Sequence, residues 1–198
     1  MIVNSYTFEP ISSIMYIIIE NNEALVIDPN ISDEAFRLLS ESGVSKVLIL
    51  LTHEHCDHIT GVNWFREHFE TTVLCSEKCA ENIEKPDKNF SQYFDVLLMG
   101  KNTDLHMKPF SCSADKTFRG DVELHWNGHK LYLRECPGHS EGSICIILDD
   151  MYAFTGDYLI PNQKVFTNIP GGNKKIYNET TVPYLVTLNK FIIMPGHV

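Results

Sequence analysis

Thr52-His53-Glu54-His55-Cys56-Asp57-His58, with Gly61 three residues on, follows directly after the apolar run Val47-Leu48-Ile49-Leu50-Leu51. The run is short and rich in β-branched and leucine side chains, which suits a buried strand better than a helix. A strand ending at Thr52 delivers the cluster to the loop at its C-terminal edge, where α/β folds place their sites. Neutral imidazole and carboxylate are ligands that Zn²⁺ and Fe²⁺ accept. His53 and His55, two apart on extended chain, reach one ion from the same side. Asp57 and His58 come after the backbone has turned and can serve a second. Such a density of ligands is hard to explain as solvent decoration, so the stretch reads as a metal site.

The rest of the composition is that of a soluble globular chain. Its 198 residues suffice for one domain with a substantial core, and 43% are hydrophobic and 21% charged. A formal charge of −10 argues against a nucleic-acid partner, which normally needs a basic face. Met1 to Ile19 lacks a basic start and a small-residue cleavage site, so no signal peptide is expected. No apolar run approaches the ~20 residues of a membrane-spanning helix. Cys56, Cys75, Cys79, Cys112, Cys136 and Cys145 show no zinc-knuckle or redox spacing and read as reduced thiols of a cytoplasmic protein.

Along the chain, residues 2–9, 13–20 and 24–27 read as a β-meander ending at Asp28-Pro29. Ser32-Asp33-Glu34 is a helix start, and Gly43 closes that helix. The strand 46–51 and the metal loop follow, then a helix over 60–69, a strand at 71–75 and a short helix at 76–84. Residues 85–119 read as a helical and loop insertion. Within it Phe90, Tyr93, Phe94 and Leu97 share one face of a helix at 89–99, which is either a core helix, a lid beside the metals or an interface for oligomer formation. From 120 the β pattern resumes with a hairpin turned by Asn127-Gly128, a second hairpin through Asp149-Asp150, a helical stretch at 173–189 and a last strand at 191–194. Two β-rich halves, each with helices outside it, imply an α/β fold in which two mixed sheets pack face to face beneath outer helices. His68, His106, His125 and His129 read as surface or strand positions rather than ligands.

Three later positions share the context of the first cluster. Pro137-Gly138-His139, Thr155-Gly156-Asp157 and Pro195-Gly196-His197 each put a glycine and then a potential ligand at the exit of an apolar strand. Together with the opening cluster they supply five histidines and two aspartates, enough for two ions that share a carboxylate.

The order His53-x-His55-x-Asp57-His58, Gly-His139, Gly-Asp157, Gly-His197 resembles the metallo-β-lactamase fold superfamily over almost the whole chain. The resemblance implies an αββα sandwich, with His53, His55 and His139 on a first metal. It places Asp57, His58 and His197 on a second and Asp157 between both. His58 after Asp57, and Asp157 as the bridge, look like the glyoxalase II-type hydrolases. Zinc β-lactamases of the commonest type have Arg after the aspartate and a downstream Cys ligand instead. Phe166-Thr167-Asn168-Ile169-Pro170-Gly171-Gly172 looks like a Gly-Arg-Thr-Asp-x-Pro-x-Gly segment of small glyoxalase II-like proteins, with Phe166 and Asn168 replacing the Arg and the Asp. Glyoxalase II runs past its last metal histidine into a helical domain that helps bind glutathione, whereas the sequence here stops at Val198.

The resemblance implies a dinuclear metal-dependent hydrolase of a thioester, ester or lactone, working through a metal-bridging hydroxide that Asp57 orients. Zinc is the first expectation for the two ions, with iron or manganese as others. Tyr158, Phe166, Lys174 and the 89–99 aromatics are the expected walls for a small-molecule substrate. Glu54, Ser140 and Glu141 are expected to support the imidazoles, and Cys56 to point away from the metals. Two other classes stay open: a one-iron oxygenase of the persulfide dioxygenase type, and a phosphodiesterase, nuclease or non-catalytic member of the superfamily.

Overall fold

The computed structural model of the protein describes residues 1–99, 103 and 105–198. Its strands are β1 (Asn4–Phe8), β2 (Ser13–Glu20), β3 (Glu23–Ile27), β4 (Lys46–Leu50), β5 (Glu70–Ser76), β6 (Lys116–Phe118), β7 (Asp121–Trp126), β8 (His129–Glu135), β9 (Ile144–Leu148), β10 (Tyr152–Gly156) and β11 (Ile192–Pro195). They form a six-stranded sheet in the order β1-β2-β3-β4-β5-β6 and a five-stranded sheet in the order β11-β10-β9-β8-β7. β1, β2 and β3 pair antiparallel, while β3 to β6 are parallel. In the second sheet only the β10–β11 pair is parallel.

Strand alternation builds the layers. On β2, Ile14, Tyr16 and Ile18 turn toward the second sheet and meet Leu131, Leu133, Ile146 and Phe154. Met15 and Ile17 turn the other way, with Val26, Val47, Ile49 and Val73, onto Leu39, Phe65 and Ile83 of helices α1 (Asp33–Glu41), α3 (Val62–His68) and α4 (Glu77–Ile83). The second sheet repeats this outward, where Cys145, Ile147 and Ala153 pack beneath Leu185 and Leu188. Each fully buried leucine or isoleucine contributes roughly 1.5–3 kcal/mol over an exposed one, so both faces of both sheets hold the αββα sandwich together.

Local chemistry sets the boundaries. The Ser32 hydroxyl caps α1 by accepting from the Ala35 N–H at 3.2 Å, and Gly43 follows its end at φ 65°. The expected 60–69 helix is α3 alone, and a separate turn, α2 (Cys56–Ile59), precedes it, divided from it at Gly61. A Cβ on Gly61 would stand 2.6 Å from the Asn30 carbonyl oxygen, so the chain crosses the end of β3 only with glycine there. Near the C-terminus the ladder from α6 (Lys174–Ile176) passes through one π turn, Tyr177–Thr181, into α7 (Val182–Thr187). Pro183 lacks an N–H, and the Val182 N–H reaches back to the Tyr177 carbonyl across the wide turn.

Residues 85–119 differ from the expectation in two ways. Lys116–Phe118 is a strand, β6, that pairs with β5 in the register Leu74↔Lys116. The 89–99 helix is a single 3₁₀ turn, Ser91–Tyr93, followed by α5 (Phe94–Leu97). The Asn89 side chain breaks it: its amide donates to the Ile83 and Phe110 carbonyls while its oxygen accepts from the Ser91 N–H. Phe94 is buried with Cys56 and Leu98, and Tyr93 is exposed, so the aromatics do not share one face. The Leu97 side chain lies outside the described residues.

The topology puts the ends of β3, β4, β8, β10 and β11 at a common rim. A backbone hydrogen bond from Ile144 to Thr52, 2.8 Å, ties the two sheets there.

Candidate metal centre

Every ligand candidate named from the sequence stands at that rim. His53 and His55 follow β4, and Asp57 and His58 lie on the first turn of α2. His139 follows β8, Asp157 follows β10, and His197 follows β11. His53, His55, His139 and Asp157 bring one donor atom each within 4.8 Å of one another, and Asp57, His58 and His197 do the same. The carboxylate of Asp157 lies between the groups. Its Oδ2 is 3.2 Å from His139 Nε2, and its Oδ1 is 3.1 Å from His58 Nε2 and 3.3 Å from His197 Nε2.

The imidazoles are aimed by hydrogen bonds on their outer nitrogens. His53 Nδ1 donates to the Thr52 hydroxyl at 3.1 Å, and that hydroxyl donates to Asp28. His58 Nδ1 donates to Asp28 at 2.9 Å. His139 Nδ1 donates to the Phe166 carbonyl at 2.8 Å, and His197 Nδ1 to the Ile11 carbonyl at 3.3 Å. These partners leave Nε2 of all four rings facing the centre. His55 instead turns Nδ1 inward, 3.0 Å from His139 Nε2, and stacks on Phe90 with ring centroids 4.6 Å apart. Glu54 and Ser140 bond to each other at 2.8 Å and not directly to a ring. Glu141 comes no nearer than 3.5 Å to Asn82.

Asp28 is the residue that sequence reasoning missed. It is buried at 3% exposure at the end of β3, with φ 53°, and also accepts from the Thr52 N–H at 2.7 Å. It leaves an apolar strand as Asp157 does, but without the preceding glycine that marks the other strand-exit candidates.

The donor set fits divalent cations. Two nitrogens each about 2.1 Å from a tetrahedral ion stand about 3.4 Å apart. His55 and His139 approach to 3.0 Å, and His58 and His197 to 3.2 Å. His53 Nε2 is buried with no hydrogen-bond partner, a state that a bound cation relieves. Burial, with the neighbouring imidazoles, holds His55 down to about 3 and His53 well below the usual histidine range. Burial also opposes charge on His58 and His197. There the carboxylates win: Asp57, Asp157 and Asp28 raise His58 well above its usual range, and Asp157 and Asp57 raise His197 to about 9.

A cavity of about 340 Å³ opens onto Asp57, His139, Asp157 and His197, walled by Ile11, Phe90, Ile160, Phe166 and Ile169. A second, about 690 Å³, lies beyond Phe166 and Lys164 and includes Lys174. Tyr158, expected at the substrate wall, is 1% exposed and lines neither. Its hydroxyl donates to the Cys136 carbonyl at 2.6 Å and accepts from the His139 N–H at 2.9 Å, so it braces the His139 loop instead. Cys56 is buried against Phe94 and Leu98 and belongs to none of the ligand groups among the described residues. His125, His68 and His106 are exposed, and His129 pairs with Asp149 at 2.6 Å.

Comparison with known proteins agrees with this geometry. The model of the family described as the metallo-beta-lactamase superfamily matches residues 8–197. "Probable metallo-hydrolase YqgX" of Bacillus subtilis is 27% identical, over 95% of this chain and 86% of its own. "Hydroxyacylglutathione hydrolase 1" of Vibrio vulnificus is 30% identical, over 85% of this chain and 71% of its own. Among solved structures, the BLEG-1 B3 metallo-beta-lactamase has a TM-score of 0.82 at 24% identity, over 100% of this chain and 92% of that one, a likeness of fold. With the family model spanning nearly the whole sequence and the histidines and aspartates gathered at one rim, the chain belongs to the metallo-beta-lactamase superfamily and is a metal-dependent hydrolase.

Proposed function

We propose that the protein is a dinuclear hydrolase of the glyoxalase II type, acting on a thioester or a related ester or lactone. The observation that carries the reading is the placement of Asp157, with one oxygen toward His139 and the other toward His58 and His197. In this reading His53, His55 and His139 would hold one ion and Asp57, His58 and His197 the other, with Asp157 shared between the two groups. Zinc is the expected metal.

Two such cations supply a nucleophile at neutral pH and a Lewis acid for the carbonyl. The chain's own groups do the rest. Asp57 faces the cavity and is the residue placed to orient the nucleophile. Phe90, Ile11 and Ile169 keep bulk water from the reacting centre. Phe166 and Lys174 are the proposed substrate contacts, Phe166 between the two cavities and Lys174 in the outer one. The Vibrio vulnificus relative is named for hydrolysis of a hydroxyacylglutathione, which is a thioester, and this supports the substrate class. All six cysteines are free and buried, which supports a cytoplasmic setting, and no helix among the described residues is long and apolar enough to cross a membrane.

The test is a substrate panel on protein of measured metal content, with oxygen uptake followed alongside. Thioester turnover with two metals per chain and no oxygen consumption is expected. One iron per chain with oxygen uptake assigns the oxygenase class instead, and preferential cleavage of a phosphodiester or a lactam assigns those. Full turnover by metal-stripped protein contradicts the mechanism.

A further inference from the structure

Glu54 has no part in the chemistry above, yet it is a carboxylate at 2% exposure between two of the proposed ligands. His53 and His55 leave the extended loop toward the metals, and Glu54 leaves it into the protein. Burying a carboxylate is costly unless hydrogen bonds meet its oxygens, and both are met. Oε1 accepts from the Asn82 amide of α4 at 3.0 Å, and Oε2 accepts from the Ser140 hydroxyl at 2.8 Å.

Ser140 directly follows His139. Its N–H donates to Ser143 Oγ at 3.2 Å and the two hydroxyls lie 2.8 Å apart, so the turn after His139 closes on itself. The turn also closes around the carboxylate, because a Cβ on Gly142 would stand 2.5 Å from Glu54 Oε2. Glu54 therefore joins the loop of the first sheet that carries His53 and His55 to the loop of the second sheet that carries His139. Among the described residues, neither Glu54 nor Ser140 makes a hydrogen bond to Asp57, His58 or His197.

We propose that Glu54 is a positioning residue that fixes His139 relative to His53 and His55, and so sets the geometry and affinity of the three-histidine metal position selectively. The inference rests on the two-metal reading and deepens it.

The test is a Co²⁺ titration of the full chain, because the visible absorption of bound cobalt reports coordination geometry independently of turnover. Glu54→Ala is expected to weaken one of the two ions about 10–100-fold, as loss of a group that orients a ligand does, and to shift its absorption. The other ion stays in place. Ser140→Ala should affect the same ion, and the double variant should be no worse than Glu54→Ala alone. Glu54→Gln keeps an acceptor for Ser140 and should restore most of the affinity. If Glu54→Ala fails to fold, Ser140→Ala and Glu54→Gln carry the comparison. Wild-type affinity and spectrum in the alanine variants would overturn the inference, as would equal weakening of both ions in step with a lower melting temperature. A wild-type chain that binds no cobalt would remove the two-metal reading and the inference with it.

Discussion

The carboxylate of Asp28 stands 2.9 Å from Nδ1 of His58 and, through the Thr52 hydroxyl, also orients His53. One residue outside the ligand set thus fixes a ring on each of the two proposed ions. Asp28→Ala leaves the Thr52 N–H, the Thr52 hydroxyl and His58 Nδ1 without their acceptor, at about 1–3 kcal/mol for each buried group left unpaired. The variant is expected to melt several degrees lower and to bind both metals more weakly. Thermal unfolding with and without added zinc checks this; unchanged affinity for both ions would contradict it.

Charge on His58 and His197 gives the centre a pH dependence of definite sign. Both groups are raised above the unfolded histidine value in the metal-free fold, His197 to about 9. The stability they contribute to metal-free protein is fully present below about pH 6.5 and is lost as pH rises through about 9. Metal binding at neutral pH must displace their protons, so affinity should rise with pH. Calorimetry of zinc binding at pH 7 in buffers of different ionisation enthalpy should record proton release. Binding without proton release would sink this.

The His139 loop should be sensitive at a residue that touches no metal. Tyr158→Phe removes the hydroxyl between the Cys136 carbonyl and the His139 N–H. A loss of about 1–3 kcal/mol is expected from the orphaned groups. Chemical denaturation measures it, and a neutral result would show that the brace is idle.

Gly196 faces a different constraint. A Cβ there would stand 2.8 Å from His58 Cε1 and 2.9 Å from Asp157 Oδ1. Gly196→Ala is therefore expected to displace ligands and lower metal content, at a cost of about 1–3 kcal/mol for overpacking. Full metal content by elemental analysis would contradict it.

How much of this was legible in the sequence depends on locality. His53 to His58 could be read because the ligands are contiguous and follow an apolar strand. His139, Asp157 and His197 were legible because each repeats the strand–glycine–ligand pattern. The glycines work for more than one reason: Gly156 sits at φ 53°, as expected, while Gly196 is needed for space. Asp28 was hidden because its role lies in contacts with Thr52 and His58, far along the chain. Tyr158 was misplaced because its neighbour Asp157 points into the centre while its own ring turns beneath His139. The 89–99 helix was overestimated because helical spacing of aromatics does not reveal the competing bonds of Asn89. β6 escaped notice because three edge residues carry too little alternation to be read.

The most direct measurement is anomalous diffraction from crystals of the protein grown with zinc. Two peaks per chain are predicted, one about 2.0–2.2 Å from donor atoms of His53, His55 and His139 and the other at that distance from Asp57, His58 and His197, with Asp157 between them. Peaks elsewhere on the surface, or none at this rim in fully occupied protein, would contradict the two-metal centre.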